Sequence, residues 1–164
     1  MQFTKDSFYL ALRDRLAALN QSRVVTVNGT TRVAMAVSEN EPVTAAPPTA
    51  NMFYIEFRAP KSNLAHPGRL LSLDCAIFFE AESSTESAVD RGRILSELTT
   101  ELLSICFPCH TRKRDFTQSP SVDLGTDIFW TAPQCDDTQT PSSPSRLRRT
   151  ATLTIFFFPE LELS

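Results

Sequence analysis

Cys106-Phe107-Pro108-Cys109-His110 is the stretch of this chain whose residue types and spacing come nearest to a reactive centre. Two thiols so spaced suit a redox dithiol or, with further ligands, a zinc site. A redox dithiol needs its attacking cysteine at a helix N-terminus, where the helix dipole lowers the thiol pKa. Here the apolar stripe Leu95, Leu98, Leu102 and Ile105 predicts a helix over 87–106. The thiol pair then falls at the helix C-terminus, where the dipole acts in the opposite sense. Tetrahedral zinc needs four ligands. Cys106, Cys109, His110 and Cys135 are the candidate set, with Cys135 in an expected loop. The plainer expectation is a small, apolar Cys106 and a partly exposed Cys109, with no metal and no cofactor.

Other chemistry is sparser. His66, the second histidine, precedes Pro67-Gly68 in an expected loop, with no third group nearby to orient it for nucleophilic catalysis. Glu80, Glu82, Glu86, Asp90, Asp136 and Asp137 fall at expected strand ends, helix starts or loops. Solvated charge and stabilisation of helix N-termini account for them there. No glycine-rich phosphate cradle, HExxH or GxSxG occurs. The expectation is therefore that the protein is not an enzyme.

Two basic clusters remain, Arg112-Lys113-Arg114 and Arg146, Arg148 and Arg149. Strand alternation would splay the first over both faces, and little aromatic interleaving is present for base stacking. Edge protection against wrong strand pairing is one expectation. An oligomer interface is the other, in which Arg112, Arg114, Arg146, Arg148 and Arg149 meet Glu80, Glu82 or Asp136 and Asp137 of a neighbour. Pro47, Pro48, Phe156 and Phe158 complete the expected interface set.

Composition sets the frame. At 164 residues the chain suits a single α+β domain over 1–164. Twelve Phe supply much of its core, and only four Gly argue against a fold of many tight hairpins. A formal charge of −3 does not suggest general nucleic-acid binding. Asp6, Arg13 and Asp14 interrupt any apolar run at the start, and no stretch approaches bilayer length. The expectation is a protein made and kept in a cytoplasm, with no membrane contact and reduced thiols.

The elements follow from periodicity. Phe8, Leu12, Leu16 and Leu19 predict a helix over 6–20, with Thr4, Asp6 or Ser7 at its N-cap and Asn20 at its end. Asn28-Gly29 between β-branched runs predicts a hairpin of 23–27 with 31–37. Strands are expected at 51–58 and 70–82, the second with one buried and one partly wet face. Shorter strands are expected at 112–116 and 127–131, with turns at 117–126. The last strand, 148–158, is β-branched and aromatic, apolar on both sides towards its end, and needs cover from helices and from the rest of the sheet or another subunit. Long loops are expected at 38–50, 59–69 and 132–146. The fold class is α+β, a mainly antiparallel sheet of about five to seven strands with two amphipathic helices on one face.

This order resembles the tail terminator, or tail completion, proteins of long-tailed bacteriophages. The resemblance rests on an amphipathic first helix with Leu12-Arg13-x-x-Leu16, a strand like Met52–Phe57, and a long alternating strand like Leu71–Ala81. A second helix like Val89–Ile105 and a closing strand like Thr150–Phe158 complete it. It covers nearly the whole chain as architecture, and departs from shorter members at 38–50 and 133–145. It implies a virion assembly protein forming a ring, usually hexameric, that caps the tail tube and stops its polymerisation. The ring would join the tail to the head connector or neck proteins, with the genome passing its lumen without sequence-specific binding. The competing expectations are another neck or head–tail joining protein, a small Cys/His metal-binding regulator, and a nucleic-acid-binding module.

Overall fold

A computed structural model describes residues 1–40, 49–62, 70–82, 87–136 and 145–159. Helix α1 spans Gln2–Leu19, longer at its start than the periodicity predicts. Met1 precedes it, so the expected caps Thr4, Asp6 and Ser7 lie inside the helix. Thr4 and Ser7 are buried there beside Phe8, Leu12 and Leu16. Small polar residues inside a helix are tolerated where tertiary contacts use them; Ser7 finds such a contact, described below. Asn20 ends the helix as expected, its N–H donating to Leu16 O.

The hairpin forms as β1 (Val24–Val27) and β2 (Thr30–Val33), with Asn28 and Gly29 both at positive φ (50° and 78°). That is the backbone a two-residue turn between right-twisted strands requires. Its second arm is shorter than expected. At Ala34 the chain leaves the hairpin, and β3 (Met35–Val37) joins a different sheet, parallel to β4 (Phe53–Ser62). Met35, Ala36 and Val37 are all buried, which a hairpin arm wet on one face cannot offer. Strand β4 runs past 58 into the expected loop 59–69, through a bulge between Phe57 and Pro60.

Strand β5 (Leu71–Glu82) is followed by α2 (Ala88–Ile105), whose Ser87 hydroxyl accepts the Asp90 N–H as a cap. Then come β6 (His110–Asp115), β7 (Val122–Trp130), β8 (Gln134–Asp136) and β9 (Arg146–Phe157). Strand β7 takes over part of the turn region expected at 117–126, and β8 part of the loop expected at 132–146. The main sheet runs β3-β4-β5-β9-β7-β6, with β8 also on β9. Every pairing in it is antiparallel except β3 with β4. The class is α+β, as the clustering of strands predicts.

Both helices bury into one face. Phe8, Leu12 and Leu16 of α1 and Leu98, Leu102 and Ile105 of α2 meet Leu73, Cys75, Ile77, Phe79, Ala151, Leu153, Ile155 and Phe157. The last strand is central: β5 pairs along one side of β9, and β7 and β8 share the other. Its backbone partners therefore come from its own chain. The opposite face holds a second, smaller cluster of Ala36, Met52, Tyr54 and Phe78, with Val25 of the hairpin against it. As a result β5 is buried on both faces from Cys75 to Ala81, and not wet on one side as expected.

Candidate functional site

The Cys106–His110 segment lies at the end of α2. Cys106 is buried, and its carbonyl accepts the Trp130 indole N–H at 3.2 Å. Burial pushes the Cys106 and Cys75 thiols well up from their ordinary value. A thiol held protonated in this way is a poor nucleophile and ligand. Cys109 is exposed and donates to the carbonyl of His110, the exposed first residue of β6. Among the described residues no group of three or more His, Cys, Asp or Glu is placed to hold a metal ion. His66, Glu86, Asp137, Pro47 and Pro48 lie outside the described residues.

The basic residues separate by strand parity. Arg112 and Arg114 point out from β6, while Lys113 between them points in and is 2% exposed. Arg112 Nε lies 3.4 Å from Asp127 and 3.7 Å from Asp123, both on β7. Arg146 and Arg148, expected to meet a neighbour's carboxylates, engage Glu80 of their own chain at 3.2 Å each. Arg146 also lies 3.6 Å from Glu82. Register explains this: Glu80 is opposite Arg148 and Glu82 opposite Arg146 on the β5–β9 ladder. Glu80 is thus a buried ion-pair centre and not the solvated strand-end carboxylate expected. Arg148 also lies over the Phe78 ring at 4.1 Å, and Phe78 stacks on Tyr54. Arg149 donates to the Asp136 carbonyl at 3.4 Å.

The far end of the same face is different. Phe156 stacks on Phe129 at 5.2 Å and 17°, and Phe129 remains 41% exposed. They belong to one cross-strand row, His110–Phe129–Phe156–Ser72–Lys61, running across five strands. Phe158, just past the strand, is 42% exposed. Sequence reasoning named Phe156 and Phe158 but missed Phe129. The signal was available: Ile128 and Trp130 are the apolar, inward pair of β7, so Phe129 between them faces out.

On the helix side, the C-terminal ends of α1 and α2 enclose an open groove of about 520 Å³, lined by Arg15, Ala18, Leu19, Ser104, Ile105 and Phe107. Phe107 is 70% exposed. Arg15 Nη1 donates to the carbonyls of Ile105 (2.9 Å) and Phe107 (2.8 Å), and its guanidinium lies over Trp130. This closes the C-terminal end of α2, whose last carbonyls lack helical partners. Next to it, the buried Glu101 accepts from Asn20 at 2.8 Å and Arg23 at 2.9 Å, tying the end of α1 to α2. The groove's charged and polar groups are thus occupied in holding helices together. Its free surface is apolar.

No family model and no curated protein matches the chain. Among the described residues, no helix is long and apolar enough to cross a membrane.

Proposed function

We propose that the protein is a virion assembly component of the tail terminator kind, a ring of identical copies that caps a tail tube and offers the head connector a docking surface. The observation that carries this reading is the asymmetry of the sheet. One face is filled by two helices, while the other ends in the stack of exposed Phe129 on half-buried Phe156, with exposed Phe158 two residues further along the chain. The apolar groove around Leu19 and Phe107 lies on the helix side. Contact between unlike patches on opposite sides of one molecule is heterologous, and repeats until it closes as a ring or continues as a filament. The first helix, the long strand β5, the second helix and the closing strand β9, on which the resemblance rests, are all formed.

Arg146, Arg148, Glu80 and Glu82 have a different part in this reading from the one expected. They brace β5 against β9 inside each copy and leave Arg112, Arg114, Phe156 and Phe158, with Phe129, as the surface for other molecules. The test is electron microscopy of the purified protein mixed with isolated tails of the phage that carries it. Rings of uniform diameter on one tube end are expected. A protein that remains a single copy and leaves tube ends bare contradicts the reading. Binding to connector proteins but never to tubes would instead make it a different neck protein.

A further inference from the structure

Among the described residues the two outer strands of the main sheet are β3 and β6, and α1 touches both. On the β3 side, Tyr9 Oη donates to Met35 O at 3.5 Å, and Lys5 pairs with Glu39 at 2.7 Å. On the β6 side, the outward N–H of Arg114 donates to Ser7 Oγ at 3.0 Å. Phe8 between them touches Phe57 of β4 and Trp130 of β7, so the sheet curls around the helix. The β6–β7 register shifts between Arg112 and Arg114, the extra residues lying on β7 between Asp123 and Asp127, where Gly125 has φ 74°. Lys113, opposite them, points inward by ordinary alternation, with Nζ donating to Phe158 O at 2.7 Å. Strand β4 beyond its short partner β3 carries its own bulge and Pro60. Bulges, inward lysines, prolines and covering helices are the means by which sheet edges are kept from pairing with other chains.

We propose that Lys113, held inward on β6 by its bond to the Phe158 carbonyl, acts with Ser7 of α1 to keep β6 from accepting a strand of a second copy of this chain. Two copies then meet through faces, not by extending the sheet. A valine at 113 takes the same inward place but carries no charge that a docked strand would seal away from water; it leaves β6 an acceptor edge. This holds whether or not the protein caps tails, because it concerns only how one copy meets another.

The experiment compares full-length wild type, Lys113→Val, Lys113→Arg and Ser7→Ala by sedimentation velocity over a concentration series and by amide hydrogen exchange. Lys113→Val is expected to associate beyond the wild-type state as concentration rises, with slowed exchange along 110–115. Lys113→Arg keeps the inward charge and is expected to match wild type. A folded Lys113→Val with wild-type mass and wild-type exchange in β6 overturns the proposal. Should Lys113→Val not fold, Ser7→Ala decides. Loss of one hydrogen bond is expected to speed Arg114 amide exchange roughly fivefold, and unchanged exchange overturns the proposal.

Discussion

Glu80 stands directly across the β5–β9 ladder from Arg148, completely buried, with Arg148 Nη1 at 3.2 Å from one carboxylate oxygen and Arg146 Nη1 at 3.2 Å from the other. Burying a carboxylate is costly unless its charge and lone pairs are matched, and two guanidinium groups match them here. Removing one member leaves the others uncompensated. Glu80→Ala is therefore expected to destabilise the fold by about 3 kcal/mol, read as a lower urea midpoint. Glu80→Gln, which keeps the shape and one acceptor oxygen, should cost less. Equal stability of Glu80→Ala and wild type would mean that the pair is solvated.

Arg15 closes α2 with two carbonyl bonds and lies over Trp130. Arg15→Ala should cost about 1–3 kcal/mol, with faster amide exchange in the last turn of α2. Arg15→Lys should recover only part of this, because an ammonium lacks the flat fork that reaches both carbonyls while stacking on the ring.

Acid should loosen two defined points. Asp115 accepts from the Thr117 hydroxyl and N–H and from Gln118, and the Thr117 bonds hold its carboxyl below the ordinary 3.8. Asp74 is lowered chiefly by its bond to Lys61, with burial opposing and Thr154 assisting. A depressed folded pKa contributes stability that is complete above the unfolded value and is lost as pH falls through the folded one. Thermal midpoints should therefore be insensitive to these groups at neutral pH and fall below about pH 4. Asp115→Asn should flatten that acid limb without steepening it.

The thiols should react in order of burial. Cys109 is exposed, Cys135 half-buried, and Cys75 and Cys106 buried with raised pKa values. Alkylation followed by mass spectrometry should label Cys109 first, and Cys75 and Cys106 only under unfolding conditions. Early labelling of Cys106 would show that the end of α2 opens readily.

Much of the fold was legible because long elements write their period plainly. The Leu95–Ile105 stripe, the alternation of 71–82 and the Asn28-Gly29 turn each settle one element from local residues alone. What was not legible depends on partners distant in sequence. Nothing local shows that Ala34 ends the hairpin, because the cause is Phe53, whose N–H donates to Ala34 O. Ser7, expected as a cap, lies inside α1 and meets Arg114, more than a hundred residues away. The candidate surface was half legible. Phe156 and Phe158 announce themselves as apolar residues on the wetter side of the last strand, whereas the register that pairs Glu80 with Arg148 is a tertiary fact. That register moved the arginines from an expected contact with a neighbour to a brace within the chain.

The central proposal, that this chain ends tube growth by capping, is tested most directly by polymerising purified phage tail tube protein with and without it. Lengths measured by electron microscopy should stop increasing once the chain is added, with a ring at one end of each tube, and Phe129→Asp should weaken this effect while leaving the thermal midpoint near wild type. Tubes that keep growing at the same rate, with the chain free in solution, would contradict the account.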